Sequence, residues 1–330
     1  MSILKFILLT LIFSTTAMQA KEMTREELLE KDSQQVIERC ERIAKNLYAL
    51  GENEDINEIT DLLLDSPDTK EHAKKSIRET GRRFFLFTYP SDGLKIKGYI
   101  SFVPNSHENP LLILLRGGNR LFGLMNPASD LSCFKNYTVI ATAYRGGVSE
   151  GIDEFGGDDV NDVNNLINYF PELQNKLSMY FLPKSTYILG GSRGGMEMFL
   201  ALARFPELQN KVDKIVSLSG LLNLNECIKW RSDMKKMFQE DFGLNSENEQ
   251  EWIKLRNPME VVDQINTNIP ILILQGTDDI RVSVEEGYGF VKKLEENGNS
   301  VTYIEVPGGD HCLGNQPSRV DLIADWLENN

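Results

Sequence analysis

Thr186-Tyr187-Ile188-Leu189-Gly190-Gly191-Ser192-Arg193-Gly194-Gly195 carries more architectural information than any other run in this chain. A short strand-like stretch, 186–189, enters a glycine turn, and a helical apolar pattern over 194–204 leaves it. The string G-x-S-x-G between a strand and a helix marks a turn so tight that small residues must flank Ser192, here Gly190 and Gly194. Such a turn lifts the hydroxyl above the strand ends. It also aims the N-terminus of the next helix, with the Arg193 N–H, at an oxyanion forming there.

Outward from this turn, short apolar runs recur at 111–115, 139–143, 215–218, 271–274 and 301–306, and helix-like patterns fall at 159–169, 284–296 and 318–327. The alternation predicts an α/β fold, a mostly parallel sheet covered by helices on both faces. Ahead of it, 84–89 and 95–103 flank Pro90-Ser91-Asp92-Gly93 and predict an antiparallel hairpin. Residues 221–268 are too long for a simple connection and, with helical spacing at Trp230, Met234, Met237 and Phe238, predict a cap-like helical insertion after the sixth strand. The charged segment before the hairpin has a helical apolar period and predicts two or more amphipathic helices. The expected division is a signal peptide over 1–20, a helical segment over 21–82 and a catalytic domain over 83–330. The heptapeptide Phe170-Pro171-Glu172-Leu173-Gln174-Asn175-Lys176 recurs from Phe205 to Lys211, and its proline is expected to stop a helix at both places.

Composition narrows the function classes. With 330 residues, 41% apolar and 25% charged, the chain is an ordinary globular one, and disorder, collagen and coiled coil are excluded. Thirty-five Lys and Arg against 49 Asp and Glu give a net charge of −14, which argues against a nucleic-acid partner. Met1, Lys5, an apolar run over 6–13 and Ala20 form the layout of a secretory signal cleaved after Ala20. Export to a periplasm or medium, with no stable membrane insertion after cleavage, is the expectation. Cys40, Cys133, Cys227 and Cys312 form no C-x-x-C, so zinc-ribbon and thioredoxin chemistry are not indicated. Three disulfide connectivities or buried free thiols remain open, as does the oligomeric state.

A serine hydroxyl is a weak nucleophile at neutral pH and needs a base, usually a histidine oriented by a carboxylate. On a sheet with this elbow the partners follow in the order Ser, acid, His. Of His72, His107 and His311, only His311 lies beyond Ser192, in the loop after the 301–306 strand. His72 and His107 are expected to face solvent. The acid belongs after the penultimate strand, where Gln275-Gly276-Thr277-Asp278-Asp279 offers two carboxylates that spacing does not separate. No H-E-x-x-H, P-loop or dinucleotide fingerprint points to a metal or cofactor.

At these residues the chain resembles the catalytic domain of the prolyl oligopeptidase family of serine peptidases, an α/β-hydrolase, from about Phe84 to the C-terminus. The resemblance rests on Gly190 to Gly195, on Tyr144-Arg145-Gly146-Gly147 with Phe155-Gly156-Gly157-Asp158-Asp159-Val160, and on Gly276-Thr277-Asp278-Asp279 with Val282. It implies Ser192 as nucleophile, His311 as base and Asp279, three residues before Val282, as the acid. Where the family often has a Tyr before a Gly-Gly pair, this chain has Arg116-Gly117-Gly118-Asn119. Arg116 is accordingly a candidate to bind the oxyanion or a substrate carboxylate, and a backbone N–H near Gly118 or Asn119 is the alternative second oxyanion donor. Arg145 and Asp158 are expected in structural ion pairs. Residues 21–84 leave no room for the family's β-propeller.

The implied activity is an exported serine hydrolase acting on a peptide or small-molecule substrate through an acyl-enzyme. Peptide cleavage comes first, ester hydrolysis second, and a silent binding protein on the same fold is the rival from another class. Activity is expected to fade below about pH 6.5, as an ordinary imidazole protonates.

Overall fold

A computed structural model describes residues 23–49, 55–129, 131, 134 and 136–329. The expected signal peptide and Cys133 lie outside them. Helix α1 (Arg25–Leu47) starts at Thr24, whose side chain accepts the Glu27 N–H while Glu27 accepts the Thr24 N–H, a capping box legible as T-x-x-E. After it come β1 (Ile56–Glu58), α2 (Thr60–Asp65) and α3 (Glu71–Thr80). The predicted hairpin is β2 (Arg83–Ser91) and β3 (Leu94–Phe102), paired from Arg83 with Phe102 to Ser91 with Leu94 around Asp92-Gly93.

The remaining strands are β4 (Leu111–Leu115), β5 (Thr138–Thr142), β6 (Thr186–Gly191), β7 (Lys214–Leu218), β8 (Ile271–Gly276) and β9 (Val301–Val306). They form one nine-stranded sheet in the order β1-β2-β3-β5-β4-β6-β7-β8-β9. From β5 to β9 the neighbours are parallel, while β1, β2 and β3 add antiparallel strands at one edge. The three-residue β1, which pairs with β2, was not among the expected elements; its triplet Ile56-Asn57-Glu58 is too short to show a period. Because of β1, the helical insertion follows the seventh strand rather than the sixth.

Each face of the sheet is covered, as the fully apolar β4 requires. Leu111, Ile113 and Leu115 share a core with α4 (Asp159–Lys176), α5 (Arg193–Arg204) and α9 (Val284–Glu296). Leu112 and Leu114 share the other core with Ile43 and Leu47 of α1, Ile77 of α3, and Ile323 and Trp326 of the last helix, α10 (Arg319–Asn329). The N-terminal helices are therefore part of the sheet's cover. The insertion supplies α6 (Leu224–Trp230), α7 (Ser232–Asp241) and α8 (Glu249–Arg256).

One expected helix stop is corrected. Helix α4 continues through Pro171 to Lys176, with Phe170 and Leu173 buried on its core side. Burying those two side chains outweighs the lost proline hydrogen bond. In the recurrence, by contrast, α5 ends at Arg204 and Pro206 opens a 3-10 turn. Cys40, Cys227 and Cys312 carry free thiols. Among the described residues no helix is long and apolar enough to cross a membrane.

Candidate active site

The strand order reverses at β4, with β5 on one side and β6 on the other. Connections leaving β4 and β6 therefore part in opposite directions and open a crevice at the strand ends. Ser192 stands there, between β6 and α5, with φ 54° and ψ −124°. Its strained backbone is held by hydrogen bonds from its N–H to Leu218 O and to its carbonyl from the N–H groups of Gly195 and Leu221. A Cβ at Gly190 would come within 2.3 Å of the Gly194 carbonyl oxygen, and one at Gly194 within 2.1 Å of Leu115 O, so the elbow tolerates only glycine at both.

The sheet also delivers the candidate acid and base to this crevice. Asp279 follows β8 and accepts from Arg281 N at 2.8 Å, Val282 N at 3.0 Å and Gln275 Nε2 at 3.3 Å. The loop after β9 brings His311 Nδ1 to 2.9 Å from Asp279 Oδ2. Asp278, in contrast, is exposed and bonded to Thr277. The choice that spacing left open between these two carboxylates is thus made by the turn: the Val282 N–H folds back on Asp279, three residues earlier. Burial raises the Asp279 pKa, but the His311 charge and the donated hydrogen bonds outweigh it and hold the carboxyl below its ordinary range. An ionised Asp279 accepts the Nδ1 proton of the imidazole and leaves Nε2 as the basic nitrogen.

Ser192 and His311 line the same cavity, of ≈ 520 Å³. Among the described residues no hydrogen bond joins the hydroxyl to the imidazole; such contacts are often long in free enzymes and tighten around substrate. The loop carrying His311 nevertheless sits directly on the elbow, since a Cβ on Gly191 would lie 3.5 Å from Cys312 Sγ and the Cys312 N–H bonds to Ser219 Oγ beside it. His72 and His107 are exposed and remote from this cavity, as expected.

Opposite the elbow, the loop after β4 presses against Ser192: a Cβ at Gly117 would lie 2.7 Å from Ser192 Cβ. Gly118 and Asn119 line the cavity with it. The Arg193 N–H opens α5 and, at a helix N-terminus, has no intrahelical acceptor. Arg116 corrects the expectation placed on it. All five of its N–H donors go to main-chain carbonyls: Nε and Nη2 to Ala143 O, Nη1 to Gly117 O and Phe122 O, and Nη2 also to Arg120 O. None is left for a substrate carboxylate or an oxyanion, and the residue is a staple for this loop.

The Arg193 side chain is a second staple, one that sequence reasoning missed. Fully buried, it bonds to Asp153, Asp159, Glu197 and Gly118 O, tying α5 to α4 and to the loop after β4. Burial raises the pKa of Asp159, but Arg193 overrides it and brings the group down to about 2. Burial and the Asp159 charge push the Glu197 pKa well up, against the pull of Arg193. Arg145 pairs with Asp162 at 2.8 Å and Asp92 at 2.7 Å, and more distantly with Asp158 at 3.9 Å, the structural role expected of it. Among the described residues no group of three or more His, Cys, Asp or Glu is arranged to hold a metal ion.

Comparison with known proteins agrees with this architecture. Residues 130–330 match the Peptidase_S9 prolyl oligopeptidase family. The chain is 26% identical over 252 residues to the uncharacterized peptidase YtmA of Bacillus subtilis (strain 168), covering 75% of this chain and 94% of that protein. With the acylamino-acid-releasing enzyme of Mus musculus it shares 24% over 243 residues, but spans only 31% of that longer protein. Among solved structures, the Pyrococcus horikoshii acylaminoacyl peptidase superposes with TM-score 0.61 at 19% identity, over 74% of this chain and 41% of that one. The Pyrococcus furiosus esterase Pf2001 superposes with TM-score 0.55 at 15% identity, over 76% and 93%. At such identities the likeness establishes the α/β-hydrolase fold. The family match spans more than half of the chain, and this protein belongs to the prolyl oligopeptidase family and is a serine hydrolase.

Proposed function

We propose that the chain cleaves short peptides with a Ser192–His311–Asp279 triad. The observation that carries this reading is the hydrogen-bonded Asp279–His311 pair at the rim of the cavity that Ser192 enters from its elbow. His311 Nε2 takes the Ser192 proton as Oγ attacks the scissile carbonyl, and the N–H groups of Arg193 and of Gly118 or Asn119 receive the oxyanion. The imidazolium then gives its proton to the leaving amine as the C–N bond breaks. Water, deprotonated by the same imidazole, releases the acyl group and restores the serine.

Ester hydrolysis is the second reading. Ile37, Met125, Leu131, Leu221, Met234 and Met237 give the cavity an apolar wall suited to an acyl chain, and a similar fold occurs in the esterase of Pyrococcus furiosus. Paired assays on p-nitrophenyl esters and aminoacyl-p-nitroanilides separate the two. Ser192→Ala is expected to lower turnover on the better substrate by on the order of 10³-fold or more, and to abolish labelling by an activity-based phosphonate. Near-normal rates in that variant would end this mechanism, and no labelling of folded wild-type protein would favour the binding-protein alternative. We propose further that the chain is exported, on the strength of Lys5, the apolar run over 6–13 and Ala20.

A further inference from the structure

Helix α1 does more than cover the sheet. Its outer residues Ser33, Ile37 and Arg39 line the same cavity as Ser192 and His311. The helix is tied to both sides of that cavity. Arg25 donates to Trp230 O of the insertion at 3.0 Å and to Ile280 O of the acid loop at 3.2 Å. Asp32 pairs with Arg281 at 2.6 Å. Arg281 in turn lies over the Phe122 ring, at 5.1 Å, and its carbonyl accepts from Arg231. Helix, acid loop, insertion and the loop after β4 thus meet around one residue, and α1 is fixed as a wall.

The charges along this wall are unequal. Arg116 is spent on main-chain carbonyls, Arg193 on three carboxylates, Arg231 on Asp233 and Arg281 on Asp32. Asp233, the carboxylate in this lining, is the one bound by Arg231. Arg39 is exposed and makes no hydrogen bond or ion pair among the described residues. It also lines an adjoining cavity of ≈ 740 Å³ that includes His311 and Cys312 but not Ser192. An imidazole that protonates the departing group has that group on its own side, so Arg39 faces the leaving-group side of the site.

We propose that Arg39 receives a carboxylate on the leaving portion of the substrate, as in a short peptide with a free C-terminus. This deepens the hydrolase reading and rests on it. A guanidinium with uncommitted donors at the rim of a cavity forms charge-assisted, bidentate bonds to a carboxylate, whereas an amide in the same place accepts more weakly. The substrate class is thus an acyl compound with an apolar acyl side, set against Ile37, Met234 and Met237, and an anionic departing side.

Two butyrate esters test it, one of 4-hydroxybenzoate and one of 4-hydroxybenzamide, which differ in the charge of the leaving phenol. Wild-type protein should favour the carboxylate in kcat/KM by about tenfold, and added salt should weaken the preference. Arg39→Gln should bring the ratio near one, while Arg39→Lys should keep part of it. Because both esters are read in the same protein, a loss of folded enzyme cancels from the ratio. A wild-type ratio near one, or a ratio unchanged in Arg39→Gln, would overturn the proposal and leave the hydrolase reading standing. Cleavage of neither ester, with no phosphonate labelling of Ser192, would remove the hydrolase reading and this proposal with it.

Discussion

The imidazole of His311 is caught between opposing influences. Burial lowers its pKa, while the neighbouring Cys312 sulfur and the Asp279 carboxylate raise it, with a balance at about 10. The side chain remains 22% exposed, so water screens part of this. A general base works deprotonated, so kcat/KM should climb with pH through the imidazole pKa, and a raised pKa places that climb above pH 6.5. This moves the acid limb upward from where an ordinary histidine would put it. Asp279→Asn should shift the limb back toward acid and lower its plateau by about 10⁴-fold, read from kcat/KM against pH. A limb that stays in place would show that Asp279 does not set the basicity of His311. Ser192 and His311 could be singled out as candidates because chemistry restricts residue choice there: a tight elbow demands glycines, and only one histidine follows it. Arg116 was misread, since its partners are main-chain carbonyls, which every residue carries and no sequence displays.

Between elements, the Arg193 cluster is the joint. One guanidinium in α5 holds Asp159 from α4, Asp153 from the preceding loop and Glu197 one turn further along its own helix. Replacing it with an apolar residue would leave buried carboxylates without their counter-charge. Arg193→Leu should destabilise the fold by about 3–5 kcal/mol, measured by urea unfolding, with activity lost as the loop after β4 comes free of the elbow. A cost under about 1 kcal/mol would mean that the carboxyls neutralise themselves by taking up protons. The sequence showed strands and helices at nearly their true bounds wherever apolar runs were long. It failed at β1, too short for a period, and at Pro171, where packing overrides a local rule that holds at Pro206. The catalytic-side face of α1 was hidden for another reason: Ile37 and Arg39 look like any exposed pair on an amphipathic helix until the sheet places them opposite Ser192.

At the scale of the whole molecule, net charge and the N-terminal apolar run bear on where the protein works. If export is correct, intact-mass measurement of protein recovered from its native compartment should give a chain beginning at Lys21, and a mass that retains Met1 to Ala20 would contradict cleavage there. The sheet order has a practical consequence for anyone making this enzyme. The family match starts at residue 130, whereas β4, the strand between β5 and β6, ends at Leu115. A recombinant fragment trimmed to the matched interval would lack its middle strand, leaving β5 and β6 with unpaired inner edges and the core above them without Leu111, Ile113 and Leu115. Homology limits and the limits of a foldable unit are different things in this chain, and expression boundaries are better drawn at Thr24.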